Sequence, residues 1–319
     1  MTTRTAASAL SGFARPLGFV AIAVAFILVA ALAVTTPGFL TVANFRAILG
    51  STTFVGLITV GMALIMISGS FVSMSLGTLA TVTAIFFVFA LQFGVFVAIV
   101  STLVLGGFLG WVQGYLVGAW DANPIIVTIA AGALFEGTSV ALTGGHAMSP
   151  PDNGYNFLNM TPLGIPLGVF VLLGVVIAVE FILRRTRFGH EVYMVGESRA
   201  AARAASVSLG KIGSNVFLIA GVAAALAGIF LASFNHGASL LLNRGTLNYD
   251  AIAATLIGGT AIAGGRGSVW RALFGVVLIA IVTNLVLLRG YSLGAQILFK
   301  GMIMVAFVLV IHLRSKKGR

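Results

Sequence analysis

From Leu17 to Leu313 the chain is a succession of apolar runs, most about 20 residues long and separated by short polar breaks. A run of that length spans the hydrocarbon core of a bilayer as a helix. In lipid every backbone polar group must find a partner within the protein, so only helices and closed barrels can cross. The runs are continuous rather than alternating, which selects helices. Charged residues make up 8% of the chain and its mean hydropathy is +1.12, against about 25% charged in a soluble domain. The expected fold is therefore all-α: one polytopic transmembrane domain over 1–319.

About ten spans are expected, at 17–36, 52–72, 76–93, 95–119, 124–143, 164–183, 213–234, 250–264, 268–288 and 294–313. The first follows Arg4 and Arg15 without a cleavage site, so it reads as a helix rather than a removed signal peptide. An even number of spans puts both termini on one side. With the N-terminus inside, every Lys and Arg except Arg46, Arg244, Arg289 and Lys300 falls in a cytoplasmic segment, as the positive-inside rule requires. The cytoplasmic parts are then the 1–16 tail, the 184–211 loop and the 314–319 tail, while 144–163 and 235–249 face outward.

The net charge of +11 is explained by that flanking pattern, and no basic face points to nucleic acid. With no cysteine and four scattered histidines (His146, His190, His236, His312), metal and thiol chemistry have no foothold. No G-x-x-x-x-G-K-[ST] phosphate cradle occurs, and no serine, histidine and carboxylate spacing suggests a triad. The chain reads as a non-enzyme. Gly264-Gly-Arg-Gly-Ser lacks the lysine of such a cradle and reads as a tight turn.

Polar and small residues inside the spans are the remaining signals. Gly106, Gly110, Gly114 and Gly118 recur every four residues and form a groove for close helix packing, with Gln113 beside it placed to bond a neighbour. Ser70, Ser73 and Ser75 lie at membrane depth, either lining a path or bonding back to their own helix. Glu136 is a carboxylate within the fifth span, a functional-site signal by default, with an interhelical hydrogen bond as the alternative. Asn284 in the ninth span carries the same two readings. Glu136 is the only clear mid-membrane acid in this reading, which disfavours a secondary transporter with paired coupling carboxylates. Glu197–Ala205 consists of helix formers with Ser198 as a cap, so the 184–211 loop carries either a short surface helix or a solvated basic segment.

Several motifs together resemble one family. They are Arg184-Arg-Thr-Arg-Phe-Gly, Val195-Gly-Glu-Ser-Arg-Ala-Ala-Ala-Arg, Asn123-Pro-Ile-Ile-Val-Thr-Ile, Leu142-Thr-Gly-Gly, Asp250-Ala-Ile-Ala-Ala, Ile257-Gly-Gly-Thr and Gly264-Gly-Arg-Gly-Ser-Val. They are similar to the signatures of permease subunits of ribose-, xylose- and galactose-type ABC importers. The resemblance implies import of a small polar solute, a monosaccharide first and a nucleoside or other polar solute second. It implies a bacterial inner-membrane location with lipid around it, and a second permease chain, identical or paralogous. A separate ATPase subunit would hold ATP and Mg, and an extracytoplasmic binding protein would deliver the solute. Gly196, Glu197, Ser198, Arg199, Ala200, Ala201 and Arg203 match the helix that docks on the ATPase. Ser70, Ser73, Ser75, Glu136 and Asn284 are path candidates, and Gly258, Gly259, Gly264, Gly265, Arg266 and Gly267 form the signature turn. Four departures stand out. Ser73 replaces an acid, Glu136 a basic or amide residue, and Asn248 a glutamate, while Ala205-Ser206-Val207 replaces a small-Gly-Ile ending.

Overall fold

A computed structural model of the chain describes residues 35–150, 154–240, 246–292, 294–303 and 305. The expected first span, apart from 35 and 36, and both terminal tails lie outside the described residues. The expected last span is described only through 294–303 and 305, which are helical.

Ten helices are labelled here: α1 Val42–Ile67, α2 Leu76–Ala90, α3 Val95–Ala119, α4 Pro124–Thr143, α5 Leu167–Arg185, α6 Arg187–Glu197, α7 Arg199–Ala204, α8 Leu209–Phe234, α9 Thr246–Ile257 and α10 Val269–Leu288. Seven of them are long and apolar enough to cross a membrane: α1, α2 with its 3₁₀ extension to Phe93, α3, α4, α5, α8 and α10. Among the described residues no strand forms beyond an isolated antiparallel bridge between Met148 and Ala238.

Local chemistry explains the boundaries. Asn123 caps α4 by accepting from the Ile125 N–H at 3.0 Å, with Pro124 at the first helical position, where its missing N–H costs nothing. Gly144 ends the helix in the left-handed region. α1 starts ten residues before the expected span, where Thr41 Oγ1 accepts from the Asn44 N–H at 3.3 Å and so satisfies a donor of the first turn. The expected eighth span, 250–264, is the main correction. Its helix, α9, has 12 residues, about 18 Å at 1.5 Å per residue. The helical part of this segment is therefore shorter than expected, and the residues after Ile257 continue as a turn.

Contacts divide the chain into two units, 46–280 and a smaller one made of 1–45 with 281–319. In the larger unit α1 and α8 form the centre. The α1 window is 83% buried, against 22% for α4, and its side chains from Met62 to Ile67 are inaccessible. The most extensive helix contact joins α3 to α8. Gly106, Gly110, Gly114 and Gly118 lie directly on the α8 backbone at Gly221, Phe217, Gly213 and Leu209 in turn, so the helices run antiparallel and the groove is filled. The structural reading of the glycine repeat holds.

The smaller unit is tied by polar side chains. Asn44 and Asn284 exchange amide hydrogen bonds at 3.0 and 2.8 Å, and Arg289 donates to Thr35 and Thr36. Asn284 is thus committed to a reciprocal interhelical pair, the alternative to its path assignment.

A side chain at the seam should be far less tolerated than one on an open face. A Cβ at Gly110 would overlap the carbonyl oxygen of Phe217, whereas one at Gly137 would meet nothing within 4 Å. Gly110→Val is expected to destabilise the detergent-solubilised chain by about 1–3 kcal/mol or more. Gly137→Ala should leave it unchanged or slightly more stable, since alanine is the better helix former. Thermal unfolding of the two variants side by side checks this.

Candidate functional site

Residues 68–75 break the helical path between α1 and α2, and buried backbone groups outside a helix need partners from elsewhere. Side chains from α4 and α9 bond backbone groups here, and one from α3 bonds a serine side chain of the break. The Met74 N–H donates to Thr128 Oγ1 of α4 at 3.1 Å. Asn248 of α9 accepts from the Gly77 N–H and donates to the Met74 carbonyl, both at 2.7 Å. Ser75 donates to Gln113 Oε1 of α3 at 2.6 Å, and Ser73 and Ser75 share a hydrogen bond at 3.2 Å. Ser70 accepts from Ser68 at 3.2 Å. All three serines are buried, Ser73 and Ser75 completely. They neither bond back to a helix carbonyl nor face an open surface of this chain. Their hydroxyls hold the break instead.

The role of Asn248 follows from its amide, which donates and accepts at once, while a carboxylate could only accept. It takes over the capping of α2, because Ser75 at the cap position makes no capping bond of its own. The break also carries strain: Phe71 sits at φ +55° and is half-exposed, a conformation unusual for a bulky residue. Such outliers persist where surrounding structure imposes them.

The end of α1, the end of α6 and the 258–268 turn converge on three glycines. A Cβ at Gly264 would lie 2.5 Å from the Gly69 Cα and 2.7 Å from the Gly196 carbonyl oxygen, and one at Gly196 would overlap the Ile67 carbonyl. The Gly265 N–H donates to that same Ile67 carbonyl at 3.0 Å, so it is turned inward and cradles nothing. Gly258 lies against Ala272, Gly267 against Ile67, and Gly259 has open space. Arg266 is exposed, and its carbonyl closes the turn by accepting from Ala261. Of the docking candidates, Gly196 is therefore buried in this junction and is a packing position rather than a contact surface.

Below the junction lies a residue that sequence reasoning missed. Glu180 of α5 is 5% exposed and accepts from Ser268 Oγ at 2.9 Å, the Val269 N–H at 2.8 Å and Arg184 at 2.6 Å. A carboxylate suits the first N–H groups of a helix, so Glu180 caps α10 and pins the turn to α5. It is a second acid inside a span, which corrects the count of one. Its signal was readable, since Arg184 follows four residues later on the same face. Tyr193 of α6 donates to the Gly267 carbonyl at 3.0 Å. Burial, and then the Glu180 charge, push its hydroxyl above the usual range, so it stays a donor at neutral pH.

The expected short helix is present as α7, with Ser198 capping it by accepting from the Ala201 N–H at 3.2 Å. It exits through Ser206 at φ +61°, closed by Val207 N–H to Ala202 and Ser206 N–H to Arg203, both 3.0 Å. This is the left-handed ending that glycine usually supplies. Glu197, Ala200, Ala201 and Arg203 are exposed, and Ser198 and Arg199 half-buried. Arg199 and Arg203 bind the two oxygens of Asp121, at 2.6 and 2.9 Å. Hydrogen bonding from Arg203, with both guanidinium charges beside it, holds the Asp121 carboxyl below its ordinary range. Those contacts are intact above the ordinary carboxylate pKa and are lost only as pH falls through the lowered value.

Glu136 stands apart from this cluster, on the exposed face of α4 with Gly137 and Thr138, and it has no ion-pair partner among the described residues. Asn284 lies in the smaller unit. The loops 144–163 and 235–249 meet through the Met148–Ala238 bridge, and Asn159 of the first donates to the Ser233 carbonyl at the end of α8 at 2.9 Å.

Residues 44–311 match the family described as branched-chain amino acid transport system, permease component. The chain belongs to that family. It is similar to the ribose import permease protein RbsC of Escherichia coli (strain K12), 29% identical over 294 residues, or 89% of this chain and 90% of that protein. It is similar to the RbsC of Bacillus subtilis (strain 168), 28% identical over 295 residues and 91% of each. The L-arabinose ABC transporter permease protein AraH of Azospirillum brasilense is 28% identical over 302 residues, covering 92% of this chain and 87% of that protein. No solved structure matches the chain.

Two substitutions separate the elements of the site. Asn248→Asp removes the donor to Met74 and is expected to cost about 1–3 kcal/mol, the penalty of a buried group left unpaired, measured by thermal unfolding in detergent. Ser206→Gly relieves the left-handed conformation and is expected to stabilise the chain by about 1 kcal/mol in the same assay.

Proposed function

We propose that this member of the family is the membrane-spanning subunit of an ATP-driven importer for a monosaccharide, in a bacterial inner membrane. The observation that carries the reading is similarity, over about nine-tenths of the chain, to permeases named for ribose and for arabinose. ATP and Mg are held by a separate ATPase subunit, and ATP binding there closes on α7 from the cytoplasm. Both termini of the chain are cytoplasmic, which places the 144–163 and 235–249 loops outside, as the platform for a binding protein.

The geometry supports a mechanical division of labour. A docked partner pushing on α7 acts on α6, and α6 ends against the break and the signature turn at Gly69, Gly196 and Gly264. Rigid helices joined through such a junction turn a local push into a rocking of spans. The path runs between this chain and a second permease chain, along the exposed face of α4. A carboxylate is costly against lipid, so Glu136 is placed on that water-filled path. The serines of the break stand behind it and set where α2 and α4 meet.

Ala201 is exposed on α7, so Ala201→Asp should leave the chain inserted and folded while adding a charge to the docking face. Permease-dependent ATP hydrolysis by the partner subunit should fall about tenfold, equivalent to about 1.4 kcal/mol of docking free energy. Uptake of labelled ribose and arabinose into proteoliposomes holding permease, ATPase and binding protein tests the function itself, with nucleosides as the contrasting solutes. Uptake of nucleosides without sugars would replace the substrate assignment, and no ATP-dependent uptake of any solute would remove the importer reading.

A further inference from the structure

Within the importer reading above, on which this rests, we infer that Asp121 is the positioning residue through which α7 moves α4. Arg199 and Arg203 are then engaged with Asp121, and the docking surface is centred on the exposed Ala200 and Ala201 of α7.

Each Asp121 oxygen is taken by a different arginine, at 2.6 and 2.9 Å, so the carboxylate is held from two successive turns of α7. The connection it belongs to is short. α3 ends at Ala119 and α4 begins at Pro124, and Asp121 itself is at φ +53°. Two residues on, Asn123 caps α4 through the Ile125 N–H and Pro124 fixes the first turn. One turn further, Thr128 accepts from the Met74 N–H of the break. A displacement of Asp121 is thus transmitted to the start of α4 and, through Thr128, to the break between α1 and α2.

Stability is not what these pairs supply. The Asp121 side chain is 55% exposed, and exposed ion pairs contribute little to folding. The two segments are also not packed face to face. Asp121, Asn123 and Pro124 line a cavity of about 430 Å³ together with Gly196, Ser198 and Arg199. The charges bridge a gap, an arrangement suited to transmitting movement between parts that must also separate.

The test uses the reconstituted complex of permease, ATPase subunit and binding protein. Asp121→Asn keeps the shape of the side chain and its tolerance of positive φ, so the chain should fold and the ATPase should still co-purify. Solute taken up per ATP hydrolysed should fall about fivefold or more, the low end of couplings between distant sites. Asp121→Glu should restore it, and so should the charge exchange Asp121→Arg with Arg203→Asp, relative to either change alone. The chain has no cysteine, so a fluorophore on Leu142→Cys, at the exposed far end of α4, reports α4 directly. Its response to ATP should be present with Asp121 and absent with Asn. An unchanged uptake ratio in Asp121→Asn, a loss that neither restoring variant repairs, or a label response that survives the substitution each overturns the inference. Hydrolysis without uptake by the unmodified complex would instead sink the importer reading, and the Leu142 label would still decide whether Asp121 carries the movement.

Discussion

The constraint on which the rest depends is that a backbone leaving its helix inside a bilayer must find all its partners in the protein. Residues 68–75 leave the helical path, and the molecule is arranged around supplying them. Thr128 covers Met74 from α4, Asn248 covers Gly77 and Met74 from α9, and Gln113 reaches Ser75 from α3. Each partner fixes one helix against the break, so the positions of α3, α4 and α9 are set by hydrogen-bond demand as much as by apolar packing. Apolar burial alone could not do this in lipid, where hydrocarbon competes equally for apolar side chains.

Close backbone approach supplies the second fixed element. The α3 glycines sit on the α8 backbone, and α8 in turn uses Gly228 against Ala80 of α2. A helix pair packed that tightly moves as one body. The contrast with α4 is physical: it touches its neighbours sparsely, begins at a proline and a cap, and carries its carboxylate on an open face. Rigid and yielding parts are therefore separated by composition, with small residues where helices lock and larger, exposed ones where they do not.

Much of this was legible in the sequence where a local signal existed. The boundaries of α3 and α4 coincide with those read from the chain because Gly94, Asn123-Pro124 and Gly144 punctuate them. The glycine repeat and the Ser198 cap were visible for the same reason. Hydropathy failed at α9, since an average over 250–264 counts the glycines of a turn as neutral members of a span. Long-range pairing was invisible throughout. Asn284 reads as a lone polar residue until Asn44 is brought to it from 240 positions away, and Asp121 gives no hint of arginines 78 and 82 positions on. Glu180 was a different failure: its apolar surroundings and Arg184 were in plain view, and only its role as the cap of α10 needed the fold.

Strain and satisfaction fall in different places, and that pattern bears on how such a chain can move. The buried core of the site is fully bonded at Asn248, Glu180 and Gln113, while the described non-glycine residues with positive φ, Phe71, Asp121, Leu163, Ser206 and His236, all lie in connections between the labelled helices. Side chains in that conformation cost about 1–2 kcal/mol each, and a change of backbone conformation at any of them recovers part of it. The helices can therefore keep their internal bonds while the connections absorb the rearrangement, which is how hinged transitions distribute their dihedral changes. Two of these residues, Asp121 and Ser206, flank α7 from opposite directions, one through its arginines and one through its exit. Phe71 lies in the break itself. The strained backbone thus lies in the connections, apart from the fully bonded side chains that hold the helices.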